Sequence, residues 1–510
     1  MRSPIQFVVL WELLDFTAAA VQLDFKVERS STARSRLKPR GYLESPIENA
    51  QDALLYLIPV TIGSPPQSVM LQVDTGSNEL WFPYKESTEC TRNNTECTEG
   101  TFDPSASDTY RTVAKGKFGI PYADTTNITG DYFTDSLGLG QQTIEGMVMG
   151  LSKVSQIPKG LQSVPFEGII GVGPKARSET FNGTHLSIAQ QMKKQGLIAT
   201  ESYSLWLNGV ESSTGSILWG AVDKSKYEGE LVALPIQPDP DFGEITQDTV
   251  VTLDNVGIIN KNNATILAKG LKTAVVPDSG STSLSLPKDL YLATAEAAGV
   301  LTDDSLAGGY LPCDSAQKFD DEGAALTFGF GNADGPVIKV PISQLLRPFA
   351  PGDLAGTNIK NDTPICQWNV GPVADGSSDY ILGDSFMRSA YFVYDFDNKI
   401  LAIAQTVFNA TGEPDIEEIT GSDIPGVTST ATGNYREPTP SKAITSPINV
   451  NGSLVGTGTF STSVGPTMPL LPSFTGAASV IQPPSASFIG LMATGLTLAS
   501  GVSGMLMVLL

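Results

Sequence analysis

Two short segments of the sequence carry an aspartate in the same local setting. Asp74-Thr75-Gly76-Ser77 follows the run Leu71-Gln72-Val73, and Asp278-Ser279-Gly280-Ser281 follows Val275-Val276-Pro277. Two carboxyl groups that face each other cannot both ionise easily, so one holds a proton while the other is a base. Such a pair can activate a water molecule by general acid–base chemistry, with no covalent enzyme intermediate. Asp74 and Asp278 are therefore the candidate catalytic residues.

The composition argues against most other kinds of site. The chain has 510 residues and a single histidine, His185, whereas Ser-His triads, Cys-His pairs and multi-histidine metal sites all need imidazole. We therefore expect no metal and no other cofactor. The formal charge of −22 argues against a nucleic-acid partner, because nucleic-acid-binding surfaces are basic.

The elements around the two aspartates form an internal repeat. Ile169-Ile170-Gly171 follows the first aspartate, and Ile381-Leu382-Gly383 follows the second, each after roughly a hundred residues. One Asp-[Ser/Thr]-Gly triplet alone is typical of an ordinary turn after a strand. Two triplets in matching contexts, each followed at similar spacing by the same apolar-apolar-Gly element, indicate two similar lobes that each supply one aspartate.

With these motifs, residues 52–405 resemble the pepsin-type aspartic proteases, in particular the yapsin-like and candidapepsin-like fungal branch. Segment 56–67 resembles the first hairpin of that family, and Leu80-Trp81 follows the first aspartate as it does there. The resemblance implies an all-β, bilobal fold with pseudo-twofold lobes, 50–210 and 211–410, and an active-site cleft between them. It also implies a monomer that hydrolyses polypeptide substrates at acidic pH.

The same resemblance implies supporting roles for the neighbours of the two aspartates. Gly76 and Gly280 would let the backbone approach the carboxyl groups closely. Thr75 and Ser279 would join the two loops by hydroxyl hydrogen bonds. Ser77 and Ser281 would donate to the outer carboxylate oxygens.

A flap over the cleft is implied by segment 119–130, with Tyr122 at its tip and Trp81 as the hydrogen-bond neighbour of that tyrosine. The sequence departs from the common family pattern after Tyr122, where Ala123-Asp124-Thr125 stands. Asp124 would either favour basic substrate side chains or be an ordinary solvated acid. Outside the resemblance, Tyr122 alone could be an ordinary strand tyrosine.

Four cysteines, an even number without a C-x-x-C pair, indicate two disulfides. The resemblance implies the pairs Cys90–Cys97 and Cys313–Cys366.

The N-terminal end has the features of a secreted precursor. Residues 1–20 combine Arg2, an apolar run and a small-residue Ala18-Ala19-Ala20 site, as in a signal peptide. Residues 26–40 carry six basic side chains against Glu28 alone. We therefore expect 21–45 to be a basic propeptide that covers an acidic cleft near neutral pH and makes the precursor a zymogen.

The C-terminal end indicates attachment to a surface. Residues 488–510 contain no charged side chain, which suits either a GPI-attachment signal or a retained membrane span. The absence of a basic residue after this stretch favours the GPI signal, with Gly476 as the attachment residue. Residues 411–487 are expected to be a Ser/Thr/Pro/Gly-rich stalk, either O-glycosylated or an unmodified linker.

Seven N-x-[ST] sites suit a glycoprotein of the secretory pathway that reaches the cell surface, at the plasma membrane or the cell wall. They are Asn93, Asn127, Asn182, Asn263, Asn361, Asn409 and Asn451.

Two helices are predicted from apolar spacing, at 186–198 and at 288–298. Gly299 would end the second, and His185 would be a solvent-facing residue at the start of the first.

Three classes of function are compatible with these features. An active, GPI-anchored aspartic endopeptidase is favoured, because both aspartates, both glycines and Tyr122 are intact. The alternatives are a catalytically inactive relative on the same fold and a wall-structural GPI-anchored glycoprotein.

Overall fold

The structure is a computed structural model that describes the greater part of the chain. The described residues are 21–29, 54–91, 97–122, 126–140, 142–157, 168–174, 185–212, 214–238, 248–302, 308–349, 354, 364–373, 380–435 and 448–449. The predicted signal peptide, the C-terminal tail and the attachment residue Gly476 lie outside these ranges, as do Asn93, Asp124, Asn182, Asn361 and Asn451.

Strands dominate the first half of the chain. In order they are β1 (Val21–Arg29), β2 (Leu54–Ile62), β3 (Gln67–Asp74), β4 (Leu80–Pro83), β5 (Arg111–Pro121), β6 (Asn127–Leu139), β7 (Gln142–Gln156), β8 (Gly168–Gly171), β9 (Ser202–Trp206), β10 (Thr214–Trp219), β11 (Ala221–Asp223), β12 (Tyr227–Pro235), β13 (Val251–Ile259) and β14 (Ala264–Pro277).

Shorter strands follow in the second half. They are β15 (Leu284–Leu286), β16 (Leu301–Thr302), β17 (Gly309–Pro312), β18 (Ala325–Phe330), β19 (Val337–Pro341), β20 (Leu346–Pro348), β21 (Ile365–Trp368), β22 (Val370–Pro372), β23 (Ile381–Leu382), β24 (Ala390–Asp395), β25 (Ile400–Thr406), β26 (Ile416–Glu418), β27 (Val427–Thr430) and β28 (Ile448–Asn449).

Two large sheets hold most of these strands. The first has fourteen strands in the order β27-β12-β25-β24-β9-β10-β1-β2-β3-β8-β4-β7-β6-β5, and the second has eight strands around β13, β14 and β18. The two halves of the chain meet in the middle of the first sheet, where β24 of the second half pairs with β9 of the first half. The two halves are therefore joined by backbone hydrogen bonds. This mostly β, bilobal architecture confirms the predicted fold class.

The described residues also form four short α-helices: α1 (Ile188–Lys194), α2 (Lys288–Ala298), α3 (Ser315–Glu322) and α4 (Asp384–Met387). Within the same residues, three 3-10 helices lie at Pro104–Ala106, Lys224–Lys226 and Ile342–Leu345. The predicted helix at 288–298 is confirmed, and Gly299 ends it in the left-handed conformation at φ 70°. The other predicted helix is shorter than expected. It begins at Ile188, because Ser187 and Gln190 form a reciprocal capping box there.

The predicted start of the stalk at residue 411 is wrong, because the folded body continues beyond it. Residues 416–418 pair with β11, and 427–430 pair with β12, so both segments belong to the folded body. Ile419, Ile424 and Ala431 bury their side chains there. Composition alone suggested a stalk because Ser, Thr, Pro and Gly predominate, but three apolar residues and two strand pairings suffice to hold 411–431 against the body.

Both predicted disulfides are confirmed, Cys90–Cys97 and Cys313–Cys366. They close chain segments of very different length, with sequence separations of 7 and 53 residues. A disulfide that closes a longer segment removes more chain entropy from the unfolded state.

We expect the double variant Cys313→Ser/Cys366→Ser to lose about 4 kcal/mol of unfolding free energy, and Cys90→Ser/Cys97→Ser to lose about 2 kcal/mol. Denaturant unfolding of the two variants beside the parent protein measures both values. Equal losses would contradict the entropic explanation.

Within the described residues, no helix has the length and apolar character needed to cross a membrane.

Candidate active site

The two aspartates lie at the ends of equivalent strands. Asp74 is the last residue of β3, which runs parallel to β8 and places Asp74 opposite Gly171. Asp278 directly follows β14, which runs parallel to β23. Each apolar-apolar-Gly element of the sequence repeat is thus the strand beside one aspartate. The repeat in the sequence corresponds to a repeat in the topology.

The two carboxyl groups meet in the interior, each against the glycine of the opposite loop: a Cβ at Gly76 would lie 2.5 Å from Asp278 Oδ1, and one at Gly280 would lie 2.5 Å from Asp74 Oδ1. Asp74 is 1% exposed and Asp278 is 3% exposed. Each carboxyl group accepts an equivalent pair of hydrogen bonds. Gly76 N and Ser77 Oγ donate to Asp74 at 2.9 and 2.6 Å, while Gly280 N and Ser281 Oγ donate to Asp278 at 2.8 and 2.6 Å.

Burial raises the pKa of both carboxyl groups. The negative charge of Asp278 raises the pKa of Asp74 further, and the hydrogen bonds from Ser77 and Gly76 oppose this by stabilising the charged form. Because the two groups interact strongly, their protons are lost in steps that belong to the pair. A shared proton is therefore expected over the acidic range.

The two aspartate loops are tied together by reciprocal hydrogen bonds. Ser279 N donates to Thr75 Oγ1 at 2.9 Å, and Thr75 N donates to Ser279 Oγ at 3.2 Å. The hydroxyls also donate across to the opposite strand, Thr75 to Pro277 O at 2.9 Å and Ser279 to Val73 O at 2.8 Å. All four bonds are buried and join residues about two hundred positions apart. The relative position of the two carboxyl groups is therefore held by both lobes.

A third buried carboxyl group, which was not predicted from the sequence, lies near the pair. Asp384 begins α4, immediately after the Ile381-Leu382-Gly383 element, and is 1% exposed. Burial raises its pKa well above the usual range, the positive charge of Arg388 opposes this, and the charges of Asp278 and Asp74 raise the pKa further. The available signal was the aspartate directly after the second apolar-apolar-Gly element.

These three carboxyl groups predict a pH dependence of stability. A carboxyl whose pKa is higher in the folded chain than in the unfolded chain stabilises the fold below the unfolded pKa, and that contribution is lost as pH rises through the folded pKa. The pKa values of Asp74, Asp278 and Asp384 are all raised. We therefore expect the melting temperature to be higher at about pH 4 than at about pH 7.

The variant Asp384→Asn tests the cause, since it removes one of the three buried carboxyl groups. Its melting temperature should fall less between the two pH values than that of the parent protein. A melting temperature that rises with pH in the parent would contradict the prediction.

The flap is the hairpin of β5 and β6, with Tyr122 following β5. Tyr122 is 7% exposed, and its hydroxyl accepts a hydrogen bond of 3.0 Å from Trp81 Nε1. Tyr122 N donates to Thr126 O at 2.7 Å across the hairpin end. The structure thus places Tyr122 and Trp81 together, while Asp124 lies outside the described residues.

The prediction for His185 is wrong. The histidine is not solvent-facing, because its side chain is only 3% exposed and its Nε2 lies 3.3 Å from Glu79 Oε2. The helix begins three residues later, at Ile188. Sequence spacing could not show this, since the acidic partner comes from a segment about a hundred residues earlier.

Three of the predicted glycosylation sites are within the described residues. Asn263 and Asn409 are exposed, and Asn127 is half-buried at the start of β6.

Comparison with known proteins defines the class of this fold and site. The sequence model of the family described as "Eukaryotic aspartyl protease" matches residues 55–406. The chain belongs to this family of aspartic-type endopeptidases, and the resemblance seen in the sequence is confirmed.

Individual relatives are fungal. The chain is 33% identical over 422 residues to the "Probable aspartic-type endopeptidase opsB" of Aspergillus oryzae, covering 80% of this chain and 81% of that protein. It is 30% identical over 427 residues to "Secreted aspartic protease 6" of Candida albicans, covering 76% of this chain and 92% of that protein. The crystal structure of the aspartic proteinase from Irpex lacteus is similar in fold, with a TM-score of 0.54 and 20% identity over 77% of this chain and 99% of that one.

Proposed function

We propose that this endopeptidase cleaves peptide bonds at acidic pH with a water molecule activated between Asp74 and Asp278. The observation that carries the proposal is the buried contact of the two carboxyl groups, each fixed by one backbone amide and one serine hydroxyl. Fixed donors keep both groups in position without reorganisation during the reaction.

The chemistry follows from the proton that the pair shares. The ionised aspartate takes a proton from water, and the oxygen of that water attacks the peptide carbonyl carbon. The protonated aspartate donates a hydrogen bond to the oxygen of the tetrahedral intermediate, whose negative charge it stabilises. The aspartate that took the proton from water then transfers it to the leaving nitrogen, the C–N bond breaks, and no covalent enzyme intermediate is formed.

Acidic conditions favour this state of the site. The pair must keep one proton, and deprotonation of both groups would place two like charges side by side in a buried setting. Activity should therefore be lost as pH rises through the higher of the two apparent pKa values.

We also propose that the enzyme acts at the cell surface. The supporting features are the signal-like segment 1–20, the basic segment 21–45 as a propeptide, and the uncharged tail 488–510 as a GPI signal with Gly476 as the attachment residue. A relative is named as a secreted protease. The exposed sites Asn263 and Asn409 are suited to glycosylation.

Two experiments test these proposals separately. The purified protein should cleave a denatured protein at acidic pH, and pepstatin should block the cleavage; absence of cleavage would contradict the peptidase mechanism. For the anchor, phosphatidylinositol-specific phospholipase C should release the surface enzyme from protoplasts. Protein that stays bound after this treatment, although a known GPI-anchored control is released, would contradict the GPI anchor.

A further inference from the structure

A buried polar cluster lies beside the first aspartate loop and is not explained by the mechanism above. It consists of Glu79, His185 and Tyr132, whose side chains are nearly inaccessible to solvent. Glu79 Oε2 lies 3.3 Å from His185 Nε2, and Tyr132 Oη donates to Glu79 Oε1 at 3.4 Å. The His185 and Tyr132 rings also contact each other, with centroids 5.6 Å apart. The Glu79 side chain thus accepts a hydrogen bond at Oε1 from Tyr132, while its Oε2 lies close to the His185 ring without a hydrogen bond to it, and the two neighbours come from distant segments.

The backbone of Glu79 belongs to the loop that carries the catalytic aspartate. It lies five residues after Asp74, and its carbonyl accepts a hydrogen bond of 3.0 Å from Gly171 N. Gly173 N and Val172 N bond in the same way to Ser77 O and Asp74 O, at 2.6 and 2.9 Å. The main chain from Asp74 to Glu79 is therefore held firmly against the segment that follows β8.

The side chain of Glu79 reaches from this loop to the flap. Tyr132 lies on β6, and its ring packs edge-to-face on Phe118 of β5, with centroids 5.4 Å apart. Phe118 in turn packs against Trp81 at 6.4 Å. Trp81 donates the hydrogen bond that holds Tyr122. A continuous set of contacts thus leads from Glu79 to the residue at the end of the flap.

We propose that Glu79, held in place by His185, is a positioning residue that fixes the flap over the two catalytic aspartates through its hydrogen bond with Tyr132. The backbone of Glu79 is part of the catalytic loop, and its side chain is hydrogen-bonded to Tyr132 on the flap strand β6. Glu79 therefore couples the position of the flap to the position of the catalytic loop. Removal of the connection leaves the aspartate pair intact but loosens the flap, so substrate binding weakens while the chemical step persists. The proposal rests on the peptidase function proposed above.

The first test compares steady-state kinetics of Tyr132→Phe and Glu79→Gln with the parent protein. The phenylalanine keeps the ring contacts and removes only the hydroxyl. We expect KM to rise by about threefold to tenfold with kcat within about twofold, the pattern for loss of a substrate-binding arrangement. The matched control is Tyr84→Phe, which removes a tyrosine–glutamate hydrogen bond of 3.0 Å to Glu86 at the surface of the same lobe and should leave KM unchanged.

A lowered melting temperature with unchanged KM in both variants would show a structural role only and would overturn the proposal.

The second test uses the single histidine of the chain as a probe. The imidazole NMR signals of His185 should shift when pepstatin saturates the site, and this shift should shrink in Tyr132→Phe. Signals that do not move at a pepstatin concentration that abolishes cleavage would contradict the coupling.

A third measurement does not depend on turnover. The double variant Glu79→Gln/Tyr132→Phe should melt within about 2 °C of the less stable single variant, because contacting residues are not additive. Additive losses would contradict the positioning role even in a fully active enzyme. Absence of cleavage by the parent protein would instead contradict the proposed function, so the two failures can be told apart.

Discussion

Replacement of Asp278 by asparagine is expected to lower kcat/KM by about 10³-fold or more, because an amide can neither hold the shared proton nor act as a base. Asp74→Asn should have an effect of the same size, since each carboxyl group occupies an equivalent hydrogen-bonded position. The measurement is cleavage of a fluorogenic peptide at acidic pH. Both variants should remain folded, with melting temperatures at neutral pH equal to or above that of the parent, because a buried pair of like charges is removed.

The control for this prediction is Asp254→Asn, at a buried aspartate of β13. It should keep activity within about threefold, since an aspartate that takes no part in the chemistry has no transition-state interaction to lose. Full activity of Asp74→Asn or Asp278→Asn, after contamination by parent protein has been excluded, would contradict the assignment of these two residues as the catalytic pair.

Substitution of Gly280 by alanine is the second change with a large expected effect. A Cβ atom at this position would lie 2.5 Å from Asp74 Oδ1, and one at Gly76 would lie 2.5 Å from Asp278 Oδ1. Contacts this short force a catalytic carboxyl group to move. We expect kcat to fall by about 10²-fold or more, since displacement of a reacting group by about 1 Å has an effect of that size.

The matched control is Gly371→Ala on β22, where no heavy atom lies within 4 Å of the added methyl group. It should keep both activity and melting temperature. An active Gly280→Ala enzyme would show that the carboxyl pair tolerates a different separation from the one described.

The aspartate pair and its immediate neighbours could be predicted because their signal is local. An aspartate, a small hydroxyl residue and a glycine after an apolar run are typical of a tight turn, and the resemblance to the family implied the donors around each carboxyl group. The helix at 288–298 was predictable for the same reason, since its apolar spacing and the terminal Gly299 are contained within a dozen residues.

Burial of polar residues could not be predicted in this way. His185 has no local feature that distinguishes it from a solvated residue, and Asp384 is marked only by its place directly after the second apolar-apolar-Gly element. Both residues are nevertheless buried. The segment 411–431 is the opposite case. Its composition resembles a linker, yet β26 and β27 find partners in β11 and β12.

By itself the sequence predicted two similar lobes and the two candidate catalytic aspartates, because an internal repeat of short motifs marks them. The disulfide pairs and the flap tyrosine were predicted from the resemblance of this sequence to a known family. The tertiary structure alone decided which acids share the interior with the aspartate pair, where the folded body ends, and that Glu79 connects the catalytic loop to the flap. The physical reason is that the free energy of a buried charge depends on its partners in space, and these partners come from segments that are remote along the chain.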